Sequence, residues 1–265
     1  MGKHFKILLF IILIITVFQV TIDNVQASVK VEPSKFILSL EPGERKTGSI
    51  IVTNKTDQEK NIKALLYDWT LDKKENLVIE EKGTLKDSLE GLIKFNPRQF
   101  TLPPGLTQIV RFTVKRPEKI DYELRGVVFF EDEKAFSGES MGANVVTQVG
   151  ATIYARPEKI DLSNFKFLGF RLYLPEKGSP RGLIIVENNC PVHLRYTIKY
   201  TLINSKGKQL LEEKVEEKYI LPEFRKGEII PFKTELKSGK YNLFLETSFE
   251  GIENKIKTTV PINIE

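Results

Sequence analysis

Apolar and polar residues alternate along this chain in short runs of period two, and turn-forming clusters separate the runs. Ile62, Ala64 and Leu66 alternate with Lys63, Leu65 and Tyr67, and Val110, Phe112 and Val114 alternate with Ile109, Arg111 and Thr113. That period is the mark of a half-buried β-strand, because successive side chains of an extended backbone point to opposite faces. In the first half, strands are predicted over Val29 to Phe36 with Leu38, Thr47 to Thr53, Ile62 to Trp69, Gln108 to Lys115, Gly126 to Glu131 and Asn144 to Ala155. Gly126 to Glu131 is apolar on both faces, which places it near the centre of a sheet. Glu41-Pro42-Gly43-Glu44, Asn54 to Asp57 and Leu102-Pro103-Pro104-Gly105 supply turns, and Asp132 to Gly142 reads as a polar loop. In the second half the predicted strands are Gly182 to Glu187, His193 to Ile203, Leu210 to Glu217, Ile229 to Leu236, Tyr241 to Phe249 and Lys255 to Ile264. The Glu- and Lys-rich stretch Leu211 to Tyr219 has a helical look, but it follows the turn Ser205-Lys206-Gly207-Lys208 and is taken as an exposed strand. Long helical periodicity is absent. The pattern predicts an all-β protein of two immunoglobulin-like sandwiches in tandem.

The N-terminus follows a different pattern. Lys3, His4 and Lys6 precede an apolar run from Ile7 to Val20, and Val25-Gln26-Ala27 offers a small-x-Ala cleavage site. The run falls short of the roughly 20 residues a spanning helix needs, so residues 1–27 are expected to be a signal peptide cleaved near Ala27. The mature chain is expected not to span a membrane. Residues 28–157 are expected to form one sandwich and 158–265 the other, with the junction at Arg156-Pro157, since proline cannot donate to a strand ladder.

Composition narrows the function. The formal net charge of +5 is mild, Lys and Glu are interspersed, and no basic stripe is interleaved with aromatics, so no nucleic-acid partner is expected. Cys190 is the only cysteine, so no intramolecular disulfide can form and hydrophobic packing must hold both sandwiches. Gly138-Glu139-Ser140-Met141-Gly142 matches the nucleophile elbow of hydrolases, but a polar loop precedes it and a β-rich run follows, where the elbow needs a strand and then a helix. Cys190 and His193 are spaced for a metal pair, but zinc needs three or four ligands and the mature chain has no further Cys or His. Asn54-Lys55-Thr56 fits a glycosylation acceptor and is read as a turn. No enzyme activity, cofactor, metal or small-molecule substrate is expected.

Three stretches of the first half resemble the periplasmic pilus chaperones, the PapD-like family. They are Val31-Glu32-Pro33 to Leu40 with Pro42-Gly43-Glu44; Leu102-Pro103-Pro104-Gly105 with Gln108 and Val110-Arg111-Phe112; and Ala143 to Pro157, ending Tyr154-Ala155-Arg156-Pro157. The resemblance implies an L-shaped pair of sandwiches whose cleft receives an incomplete pilus or other β-rich surface subunit in the periplasm, with an outer-membrane usher as a further partner. A subunit that lacks a strand exposes its core groove and unpaired backbone, and a lent edge strand covers both. On this reading Val145, Thr147, Val149, Ala151 and Ile153, which share one face of Asn144 to Ala155, form the subunit-binding strand. The family also holds the subunit's terminal carboxylate between two cleft cations. The first falls on Lys35; the second falls near Thr152, which is uncharged, leaving Arg125 and Arg156 as candidates. An exported structural or adhesive module of the same fold accounts for the composition equally well. The two readings differ in whether an edge strand is left open.

Overall fold

The computed structural model describes residues 29–132 and 148–265, and these are all strand, turn and loop. The leader, the serine of the elbow-like motif, Val145 and Thr147 lie outside the described residues. Among the described residues no helix is long and apolar enough to cross a membrane.

Among the described residues, ten strands build the first sandwich. One sheet has the order β1 (Val29–Glu32), β3 (Arg45–Asn54), β8 (Thr107–Lys115) and β6 (Ile93–Asn96). The other runs β2 (Lys35–Leu40), β10 (Val149–Pro157), β9 (Leu124–Asp132), β4 (Lys60–Leu71) and β5 (Leu77–Glu81), with β7 (Gln99–Leu102) also paired to β4. The alternation sorts the faces as its period requires. Ile50 and Val52 of β3, Val110, Phe112 and Val114 of β8, and Ile62, Ala64 and Leu66 of β4 all enter one core with Val128 and Phe130 of β9. The expected first strand is two: its opening residues pair with β3, whereas Lys35–Leu40 crosses to the opposite sheet and runs parallel to β10. The break falls at Pro33, which has no N–H for either ladder. The Asn54 side chain is buried and bonds the carbonyls of Gln58 and Leu102, so the asparagine of the glycosylation-like triplet is a structural plug.

The second sandwich packs β11 (Phe165–Tyr173), β12 (Arg181–Asn188) and β16 (Phe224–Pro231) against β14 (Gln209–Lys214), β13 (Leu194–Asn204), β17 (Gly239–Phe249) and β18 (Ile252–Ile264), with β15 (Lys218–Ile220) also on β13. Its core is separate, built around Ile184, Tyr196, Tyr200, Leu202, Phe232 and Leu243. Buried Cys190 belongs to this core. β16 starts and ends about five residues before the expected strand, stopping at Pro231, and the Glu- and Lys-rich stretch divides into β14 and β15.

A third apolar cluster joins the two halves, with Trp69, Leu71, Val127 and Tyr154 from the first and Leu221 from the second. Beside it the Glu123 N–H donates to the Pro191 carbonyl at 2.8 Å, and both carboxylate oxygens of Glu123 lie 2.7 Å from His193 Nδ1. The His193 ring stacks on Tyr154 at 4.1 Å between centroids. His193, one of the two residues spaced for a metal pair, is therefore a buried element of the joint between the sandwiches. Among the described residues no group of three or more His, Cys, Asp or Glu could hold a metal ion.

Candidate functional site

The site is the cleft over the outer face of the β10-β9-β4-β5 sheet. Period two gives β9 two apolar faces: Val128 and Phe130 turn into the core, so Val127 and Phe129 turn outward. Trp69 stands opposite Ile79, and Leu71 opposite Leu77, which extends the outward face along the β4–β5 hairpin. Trp69, Leu77, Ile79, Val127, Phe129 and Tyr154 line one wall; His193, Arg195 and Tyr219 of the second sandwich line the other. Leu77 is 61% exposed and Ile79 37%, so a wet apolar surface faces the cleft. Burial, reinforced by the Glu123 carboxylate, pushes the Tyr154 phenol up to about 12, so it is neutral at every physiological pH.

The pairing of β10 is uneven. On one side it pairs with β9 over its length, from Val149 opposite Phe130 to Ala155 opposite Leu124. On the other side the register with β2 begins only at Thr152, opposite Lys35, because β1 has departed to the other sheet. The Thr152 N–H donates to Ser34 O, and alternation turns the N–H and C=O of Gly150 toward the same edge. Among the described residues, Val149–Ala151 thus has no partner strand on that edge. It is a short open β-edge at the mouth of an apolar cleft.

The structure treats the expected site residues unequally. Ala151 and Ile153 are fully buried in the first sandwich's own core, so their side chains are committed there and cannot fill pockets of a partner. Val149, the first residue of β10, is half-buried and packs against the edge of that core. Arg125 is not a cleft anchor. It is buried, its Nη1 lies 2.5 Å from Asp87 Oδ2, and its guanidinium sits 5.3 Å from the centroid of the Trp69 ring. Burial pushes the Asp87 carboxyl up, and the Arg125 charge opposes that rise. This pair fastens the segment between β5 and β6 to the sheet. Arg156 turns toward Gly251 in the turn between β17 and β18, with its Nε buried and unbonded. Lys35 is at the cleft, 3.4 Å from both carboxylate oxygens of Glu250 in that same turn.

Two site residues were not expected. Arg195, on β13, enters the cleft beside Thr152; its Nη1 bonds Glu217 at 2.9 Å, and its Nε lies 3.6 Å from Glu250 Oε2. Lys35 and Glu250 are 215 positions apart, so no local spacing could have paired them. Arg195 gives no sign in the sequence either, because on pattern it is one of many strand cations facing solvent.

This architecture of two sandwiches with a cleft between them can be set beside known structures. No family model and no curated protein matches the sequence. Solved structures do match over nearly the whole chain. One is from a chaperone–tip adhesin complex of CFA/I fimbriae biogenesis, 16% identical, with a TM-score of 0.52, covering 89% of this chain and 98% of that one. Another is the class 5 fimbriae chaperone CfaA, 18% identical, with a TM-score of 0.52, covering 88% of this chain and all of that one. The protein has the two-domain immunoglobulin-like fold of these chaperones.

Proposed function

We propose that the protein is a chaperone-like binder of exported pilus- or fimbrial-type subunits, acting in the periplasm by lending the open edge of β10. The observation that carries this reading is the uneven pairing of β10, whose Val149–Ala151 edge has no partner strand among the described residues, on a sheet whose outward face carries exposed apolar side chains. An unprotected edge of this kind invites pairing with another chain, and a soluble protein normally blocks it with charge, proline or a covering loop. Here the same sheet presents Phe129, Ile79 and Leu77 on its outward face, a surface suited to an incomplete sandwich that exposes its own core. The fold shared with fimbrial chaperones agrees with this reading, and an outer-membrane usher would be the protein that receives the complex. The function is binding rather than catalysis, and no cofactor takes part.

The test is affinity capture of the full mature chain from its own cell envelope, comparing wild type with Val145→Asp and with Gln148→Pro. Gln148 is exposed, and proline at a strand edge removes an outward N–H while leaving the sheet intact. Circular dichroism should show both variants folded. Wild type should retain a β-rich subunit that lacks one strand of its sandwich, and both variants should lose it. Retention of the same protein by all three, or of none by wild type, would sink the lent-strand reading in favour of a passive exported module.

A further inference from the structure

We infer that the outer face of the β11-β12-β16 sheet docks the second sandwich onto the surface of an anionic phospholipid membrane. This surface is independent of the lent-strand reading, for it uses neither β10 nor the cleft.

Cross-strand register sets the face out row by row. Phe167, Phe170 and Leu172 of β11 and Ile184 and Val186 of β12 turn into the core, so their neighbours turn outward. Tyr173, Arg181 and Pro231 stand side by side in one row, and Arg171, Leu183 and Ile229 in the next. Ile185 follows between Gly169 and Gly227, and Lys166, Glu187 and Arg225 close the face. The middle is therefore apolar and open. Ile229 is 62% exposed, Ile185 and Tyr173 are exposed as well, and the glycines on either side of Ile185 have no side chain to cover it. An apolar patch rimmed by polar groups marks an interaction surface.

Charge selects the occupant. Lys166, Arg171, Arg181 and Arg225 surround the apolar middle, against the single carboxylate of Glu187. That carboxylate is already engaged, 2.6 Å from Arg225 Nε and 2.7 Å from Asn189 Nδ2. A second copy of the chain would set the same cations against these, and like charges across an interface repel. An anionic bilayer complements both parts of the face at once. The Lys and Arg stems lie along the apolar surface and carry their charges to the phosphates, Leu183, Ile185 and Ile229 reach the acyl boundary, and Tyr173 sits at headgroup level. A bilayer spreads its negative charge over a plane and so meets all four cations without register, whereas a folded polypeptide would have to place a carboxylate opposite each.

The full mature chain is mixed with sedimenting vesicles of phosphatidylcholine alone and of phosphatidylcholine with phosphatidylglycerol. It should bind the anionic vesicles and not the neutral ones, and added salt should weaken binding. Arg171→Gln with Arg181→Gln should lose about 25-fold in affinity, about fivefold for each cation, whereas Arg171→Lys with Arg181→Lys should keep it. Ile185→Ser with Ile229→Ser should lose about tenfold while circular dichroism stays that of the wild type, since both side chains already face solvent. Equal binding to neutral vesicles, or full binding by the glutamine pair, would overturn the selection by charge. Full binding by the serine pair would overturn the apolar contact, and no binding by wild type would overturn the docking altogether. A photo-crosslinking side chain in place of Ile229 reads the occupant in the protein's own cells. Labelled phospholipid supports the membrane, and a labelled polypeptide or a dimer-sized adduct overturns it. Subunit capture through the cleft should be the same in every variant, so this docking and the lent strand fail separately.

Discussion

Gly48 on β3 stands opposite Phe112 on β8, and a Cβ there would come within 2.4 Å of the Phe112 ring, which is itself fully buried. The ring cannot retreat, so Gly48→Ala should destabilise the protein by about 1–3 kcal/mol, read as a lower urea midpoint with unchanged slope. Loss of little or no stability would mean that the core yields more than its packing indicates. Tyr154 makes a separate prediction. Its phenol is held at about 12, above the ordinary value of 10.0, so the stability gained from keeping it neutral is complete below about 10 and is lost as pH rises toward 12. Tyr154→Phe removes that titration, and its unfolding free energy should fall less steeply than wild type across this alkaline window. Parallel curves would show that Tyr154 does not carry the effect.

At the scale of elements, the β4–β5 hairpin has more exposed apolar surface than its stability requires. Leu77→Ser with Ile79→Ser should change stability by no more than about 0.5 kcal/mol, since both side chains face solvent, yet should weaken subunit binding several-fold. A large loss of stability with binding intact would make the hairpin a structural brace instead. The elements legible in the sequence were those whose buried face alternates over many residues, such as β3, β4 and β8. The short strands β5, β6 and β7 escaped notice because four or five residues carry too little pattern. β11 escaped because a bulge between Phe167 and Gly169 breaks its alternation.

At the scale of the whole molecule, the relation between the two sandwiches depends on a small buried joint: Glu123 on His193, His193 on Tyr154, and the apolar cluster beside them. His193→Ala leaves the Glu123 carboxyl buried without its partner, which should cost about 3 kcal/mol. Because the two cores are separate, that loss should appear as an early transition that uncouples the sandwiches, with two calorimetric peaks and a broadened scattering envelope. A single sharp transition at the wild-type temperature would show that other contacts set the arrangement.

Strand period, turn chemistry and the lone cysteine determined that this chain folds as packed β-sandwiches, because each strand's side chains must sort between core and solvent whatever lies around them. Pro33 carried local information of the same kind, ending one strand and freeing the next to change sheets. Lys35 was placed at the cleft by resemblance, and β10 was marked as the strand of interest. What only the tertiary structure decided is which members of β10 are free. Ala151 and Ile153 share the period of Val149, yet the facing sheet closes over them and leaves Val149 at the rim. It likewise decided that Arg125 is bound to Asp87 and that Arg195 of the other domain lines the cleft. Charge and period are properties of residues and neighbours, and a site shared between two domains exists only once the domains have docked.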